Sequence, residues 1–327
     1  MSSAPPETAE LLHAGGEHVR DLMAAIEARL RDEATGHGPV LAAHAGATIA
    51  AGGKRLRPLL VLLAAGEPGT PDARDALICA GVAVELVHSA TLVHDDVLDG
   101  ATVRRGEPTV VATGGRDRAV ATGDLLFARA FTALAQAPGD AAGAVRVLSD
   151  ACSALALGEL AQREDAWSAD VSVERYLHRC DLKTARLFEA ACRLGTRATQ
   201  EPADLGDFGR RIGIAFQLLD DVLDVAGPET RTGKARGTDL LDGTITLPFI
   251  VARERDPALA ALDPRAIGAG DTEQICDAIT ATGALDETRA RALSLIEDAK
   301  RDLPEALDDQ RRAALQLVAD SVVQRYA

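Results

Sequence analysis

The stretch "LVHDDVLDGATVRRG", residues 92–106, sets Asp95, Asp96 and Asp99 into an apolar run and follows them with Arg104 and Arg105. A second stretch, "FQLLDDVLDV" at 216–225, repeats the arrangement with Asp220, Asp221 and Asp224. The spacing acquires meaning on a helix. Asp95 and Asp99 are then i and i+4, Asp96 and Asp99 i and i+3, so their side chains lie one above another with Cβ atoms about 5–6 Å apart. Like charges that close repel, and partial burial raises their pKa values. A hard divalent cation removes the difficulty. Mg²⁺ takes oxygen ligands at about 2.1 Å, keeps several waters and shares its shell with phosphate oxygens. Each motif therefore reads as half of a magnesium–phosphate site. For a single copy, a solvated acidic turn is the simpler account. Two copies, each preceded by an apolar run ("ATLVH" and "IAFQLL"), point to both lining a groove. Neither has the alternating pattern of an EF-hand loop.

Outward from these motifs the chain keeps a helical period. "AELLHAGGEHVRDLMAAIEARLRDE" (9–33) places Leu11, Val19, Leu22, Ile26 and Leu30 close to a three-four spacing. Alanine is abundant, aromatics make up only 3 %, and alternating β-branched runs are almost absent. The best strand candidate, "TITLPFIV" (244–251), is interrupted by Pro248 and reads equally as a loop entering a helix. Breaks fall at "GHGP", "GEPGTPD", "APGD", "AGPETRTGKARGTD" and "DPRAIGAGD", but no Pro/Ser-rich linker divides the chain. The expected architecture is all-α, a single domain over 1–327 with roughly ten helices. Its N-terminal helical segment is 8–33, and its core runs from 40 to 327.

Of the 327 residues, 47 % are hydrophobic, enough for a large core, and the net charge is −15. That balance argues against a nucleic-acid surface. The five cysteines (79, 152, 180, 192 and 276) are scattered without a CxxC pair, so neither a zinc site nor a disulfide framework is expected. The expected compartment is the reducing cytoplasm, because "MSSAPPETAE" lacks a signal-peptide pattern. The longest uncharged run, 34–53, contains five glycines, a proline and two histidines. It is a poor membrane span, so no integral membrane segment is expected.

The acidic motifs have a basic complement. "GGKRLRP" (52–58) places Lys54, Arg55 and Arg57 after two glycines, able to face a phosphate. Guanidinium groups grip phosphate oxygens in bidentate fashion, and Lys acts as a compact charge. With these pieces in view, the chain resembles the all-trans polyprenyl diphosphate synthases, the head-to-tail prenyltransferases. The resemblance is carried in order by "GGKRLRP", "VELVHSATLVHDDVLD", "VRRGEPT", "GDLLFARAF", "LKTARLFEAA", "GIAFQLLDDVLD" and "GKARGTDLLDGTITLP".

That resemblance implies the class I isoprenoid synthase fold, a deep central cavity walled by helices, and a homodimer. It implies that isopentenyl diphosphate and an allylic prenyl diphosphate are the substrates and Mg²⁺ the cofactor. By resemblance Asp95, Asp99 and Asp220 are metal ligands, with Asp96, Asp221 and Asp224 beside them. Isopentenyl diphosphate is expected at Lys54, Arg57, His88 and Arg105, and the allylic diphosphate at Arg104, Lys183, Thr184, Gln217 and Lys234. Without the resemblance, His88 on an apolar helix reads as a core histidine, Lys183–Thr184 as a polar helix turn, and Phe127 and Phe131 as core. One position departs from the family pattern: Thr244 stands where many relatives carry Lys, so either a cation near the allylic diphosphate is missing or Lys234 and Arg236 compensate.

Chain length is expected to follow from the layers above Asp95. Ala90 and Thr91 form the first layer and are small, with Val87 and Val84 beyond. Phe127, Phe131 or Leu134 would form a floor lower down. Each helical turn opened, ~5.4 Å, admits roughly one isoprene unit, so a product longer than about C20, in the region of C30–C45, is expected. The alternatives are a short-chain farnesyl or geranylgeranyl diphosphate synthase, a non-catalytic partner subunit, and a class I terpene cyclase. The intact "DDVLD" at 220–224 and "GGKRLRP" argue against the last two.

Overall fold

The computed structural model of the protein describes residues 6–227 and 236–324. It is 77 % helical. In order come α1 (Pro6–Ala14), α2 (Glu17–Glu33), α3 (Pro39–Ala50), α4 (Leu56–Ala65), α5 (Pro71–Asp99), α6 (Val110–Gly114), α7 (Arg116–Ala135) and α8 (Ala141–Asp165). They are followed by α9 (Val173–Cys180), a π-helical turn at Asp181–Ala185, α10 (Arg186–Ala198) and α11 (Gly206–Ala226). Shorter helices follow at Thr238–Leu241, Leu247–Arg255, Pro257–Ala261 and Thr272–Ala281, then Ala284–Arg301 and Asp309–Gln324. The helices outnumber the ten or so expected because several are only one or two turns long. The N-terminal segment is two helices, broken where Gly16 takes a positive φ of 91°.

The described residues fall into two compact units. The first comprises those up to Cys152 together with Leu187–Gly209 and Leu303–Val318. The second comprises Ser153–Arg186, Arg210–Asp302 and the residues from Ala319 on.

The axis of the first unit is α5, which packs against α2, α4 and α7. Its ends are written in the sequence. Thr70 caps the start by accepting a hydrogen bond from the Ala73 amide at 3.1 Å, and Pro71 occupies the first turn. Gly100 (φ 64°) closes the other end in the left-handed conformation, and Ala101 N donates to Asp96 O at 3.0 Å. Val82, Val84, Leu86 and Val87 are fully buried, which accounts for α5 being apolar enough in length and composition to span a membrane. After it comes the one element of β-structure among the described residues, a hairpin pairing Val103–Arg104 with Glu107–Pro108. Its turn residues Arg105 (φ 55°) and Gly106 (φ 82°) both have positive φ, as a two-residue hairpin loop requires.

In the second unit Leu247–Arg255 packs against α9, Thr272–Ala281 and Ala284–Arg301. The "TITLPFIV" segment is therefore a loop entering a helix, with Pro248 in the first helical turn, where its missing N–H costs nothing. The π-helical turn is seated directly on α8. A Cβ at Gly158 would stand 2.5 Å from the Lys183 amide nitrogen and 2.8 Å from its Cα, so only glycine permits the approach. The other side of α8 is open. Leu157 and Leu160 are 58 % and 60 % exposed, the largest apolar side chains so exposed together on one helix face.

Candidate functional site

The first acidic motif ends α5. Asp96 is buried and accepts a hydrogen bond from Arg104 Nε at 2.7 Å, which anchors the following hairpin to the helix. Asp95 is half-buried and Asp99 exposed. The middle carboxylate is thus held inside while the outer two stand one helical turn apart. His94, beside them, is engaged by α7. Its Nε2 lies 3.4 Å from Val120 O and 3.5 Å from Asp124, and its ring stacks on Phe127 at 5.8 Å. Gly123 leaves the space that the imidazole fills.

The basic residues of the first unit gather near His88. Burial, reinforced by the positive charges of Arg57, Arg105, Arg104 and Arg55, holds its imidazole well below the ordinary value of 6.5, so it is neutral at pH 7. Arg105 donates to Gly52 O, joining the hairpin turn to the "GGKRLRP" loop. Arg57 stacks its guanidinium 4.6 Å from the Phe188 ring centroid. Lys54 is half-buried on the same loop. Arg55 is a correction to the sequence reading. It donates to Glu27 at 2.6 Å, Glu85 at 2.7 Å and Ile49 O at 2.9 Å, so it fastens the loop internally instead of facing a phosphate.

The second acidic motif lies on α11 and repeats the construction of the first. Asp221 is buried, Asp220 exposed and Asp224 half-buried. Asp221 accepts from Tyr176 OH at 2.5 Å and from Gln217 Nε2 at 2.8 Å, and Thr184 Oγ1 donates to Gln217 Oε1 at 2.7 Å. Burial, then the negative charges of Asp239 and Asp220, push the Asp221 carboxyl up to about 8 against the pull of its two donors. Lys183 pairs with Glu159 on α8, which also accepts from Arg163 at 2.7 Å. Burial would raise the Glu159 carboxyl, but Lys183 and Arg163 hold it below the ordinary range.

Several expectations change here. Arg236 donates to Val225 O and pairs with Glu273 at 3.1 Å and Asp277 at 2.7 Å, so it does not replace the cation absent at Thr244. Lys234 lies outside the described residues. Phe127, stacked on His94, stands at the level of the acidic motif and not at a floor below it. Of the layer residues, Ala90 is fully buried, whereas Thr91 is half-buried with its hydroxyl donating to His88 O at 2.8 Å. Phe131 is half-buried further along α7. Glu159, Tyr176 and Asp239 were missed by sequence reasoning. None of the three carried a local signal, because their partners lie far along the chain.

The donors suit a hard divalent cation. Among the described residues, no group of three or more His, Cys, Asp or Glu side chains is arranged as a closed metal cage. Each motif has one exposed aspartate, Asp99 and Asp220, and the crowding of Asp220, Asp221 and Asp239 leaves negative charge for a cation to offset. Such a shell is completed by water and phosphate oxygens.

The fold and these motifs match known proteins. The polyprenyl synthetase family model matches residues 39–280. The chain is 36 % identical over 282 residues to geranylgeranyl diphosphate synthase of Methanosarcina mazei, covering 84 % of this chain and 86 % of that one. It is 35 % identical over 286 residues to octaprenyl diphosphate synthase of Escherichia coli, covering 85 % and 87 %. A polyprenyl synthase of Caulobacter crescentus, solved with calcium and isoprenyl diphosphate, superposes with a TM-score of 0.88 at 32 % identity over the full length of both chains. The all-α architecture is the isoprenoid synthase fold. The chain belongs to the polyprenyl synthetase family. It is a prenyltransferase.

Proposed function

We propose that this enzyme condenses isopentenyl diphosphate with an allylic diphosphate, with Mg²⁺ as its cation, and releases an all-trans polyprenyl diphosphate. The observation that carries the reading is the duplicated acidic motif, built twice in one way: a buried middle aspartate held by internal donors, flanked by one exposed and one half-buried aspartate. The metal, when bound, neutralises the departing diphosphate as a Lewis acid. Asp95 and Asp99 of the first motif, and Asp220 of the second with Asp224 on the same helix, are the residues that would supply its ligands. Lys183, Thr184, Gln217, Arg104 and Lys234 orient the allylic diphosphate, and the cations among them, Lys183, Arg104 and Lys234, offset the negative charge that accumulates on it as the C–O bond ionises. Lys54, Arg57, Arg105 and a neutral His88 hold isopentenyl diphosphate so that its double bond meets the allylic carbon. The departing diphosphate accepts the proton that is lost. The family model spans parts of both compact units, which supports reading them as one synthase domain. The exposed Leu157–Leu160 face supports a homodimer. The free cysteines support a cytoplasmic location.

Small side chains at Ala90 and Thr91 favour a product longer than about C20, since each ~5.4 Å turn left open admits roughly one isoprene unit. A second reading, a geranylgeranyl product, is favoured by a different observation. The accessible stripe of α5, Asp95–Thr91–His88, stops there, and Val87 and Val84 are fully buried. Chromatography of the dephosphorylated products of the purified protein with Mg²⁺, isopentenyl diphosphate and a farnesyl primer decides between them. Longer products that Ala90→Phe shortens support the first reading. A C20 product that the same substitution leaves unchanged favours the second, with the ~5.4 Å layer argument then failing. No turnover at all sinks the synthase reading.

A further inference from the structure

Tyr176 is a fully buried phenol in α9. Its hydroxyl donates to one oxygen of Asp221 at 2.5 Å, and Gln217 Nε2 donates to the other at 2.8 Å. The Gln217 amide turns its NH₂ toward Asp221 and its oxygen toward Thr184, whose hydroxyl donates to it at 2.7 Å. Four side chains from α9, the π-helical turn and α11 thus form one chain of hydrogen bonds, and the Tyr176 hydroxyl also meets the Cys180 thiol. The ring is itself fixed. The Arg179 guanidinium lies over it at 5.3 Å and donates to Ile245 O at 2.5 Å. Both oxygens of Asp221 are engaged by these donors, so that residue orients its neighbours within the motif.

We propose that Tyr176 is a positioning residue. Acting through Asp221, it sets the direction of Gln217 and Thr184 and the register of the second acidic motif. The inference rests on the reading of that motif as a metal–diphosphate site. A plain core tyrosine that happens to find a partner for its hydroxyl would have no such effect.

Calorimetric titration with inorganic pyrophosphate and Mg²⁺ reads the site without turnover. Tyr176→Phe keeps the ring and removes only the donor. Its affinity for Mg²⁺–pyrophosphate is expected to fall by up to about 10-fold, the lower end of the effect of losing a direct partner of a metal ligand, because Tyr176 acts on the ligands only through Asp221. The apparent KM for isopentenyl diphosphate should stay at the wild-type value. In an Asp221→Asn background, Tyr176→Phe should add little, because the two act along one path. Equal affinity in wild type and Tyr176→Phe, or full additivity with Asp221→Asn, overturns the inference while leaving the site reading intact. Failure of the wild-type protein to bind Mg²⁺–pyrophosphate overturns both. Should Tyr176→Phe not fold, Asp221→Asn is titrated alone, and wild-type affinity there overturns the proposal.

Discussion

At the scale of single residues, two neighbours in "GGKRLRP" have opposite fates. Arg55 sits with 9 % of its side chain exposed against Glu85, which is 4 % exposed, and against Glu27. Removing it leaves a buried carboxylate without its counter-charge, and breaking such a pair costs about 3–5 kcal/mol. Arg55→Ala should therefore unfold at distinctly lower urea, while Lys54→Ala unfolds like wild type and raises the apparent KM for isopentenyl diphosphate. Wild-type unfolding of Arg55→Ala would show that the ion pairs do not hold the loop. Sequence alone could not separate the two, since both are cations after the same pair of glycines. The acidic motifs were legible because their logic is local: i, i+3 and i+4 spacing on one helix. Tyr176 was not, since 45 residues separate it from Asp221 and no local pattern predicts that meeting.

At the scale of elements, the helical period and the caps announced most of the fold, down to Thr70, Pro71 and Gly100 around α5. The π-helical turn at Asp181–Ala185 was hidden, because "DLKTA" has nothing that distinguishes it from an ordinary helix turn. Its backbone seats against a distant part of the chain, at Gly158. This supplies a test. In Gly158→Ala the new methyl group meets backbone, which cannot swing aside as a side chain can, and overpacking of this kind costs about 1–3 kcal/mol. We expect a lower melting temperature and a KM that rises more for the allylic substrate than for isopentenyl diphosphate, since Lys183 and Thr184 ride on the displaced turn. A variant whose two KM values shift equally would separate the turn from allylic binding. The hairpin at 103–108 was equally silent in sequence, because its strands are two residues long and too short to show alternation.

At the scale of the whole molecule, the connectivity of the first unit has a consequence for how the protein is made. Arg311 donates to Leu63 O at 3.1 Å and to Ala64 O, and pairs with Glu201 at 2.7 Å, spanning up to 248 positions of chain. The segment Leu303–Val318 thus closes a unit that begins before Cys152. A ribosome adding about 5–20 residues per second needs on the order of 15–60 s to reach that segment. Throughout that interval α4 and its neighbours stand without their last partner, and the second unit's Ser153–Arg186 and Arg210–Asp302 are translated in between. Ribosome-bound chains halted after Asp302 should be cleaved rapidly by protease within α4 and α5, and chains released at full length should resist. Protection of the halted chains would mean that the first unit folds without its closing segment. The nascent protein therefore depends, for its longest vulnerable period, on whatever shields apolar helices in the cell while translation finishes.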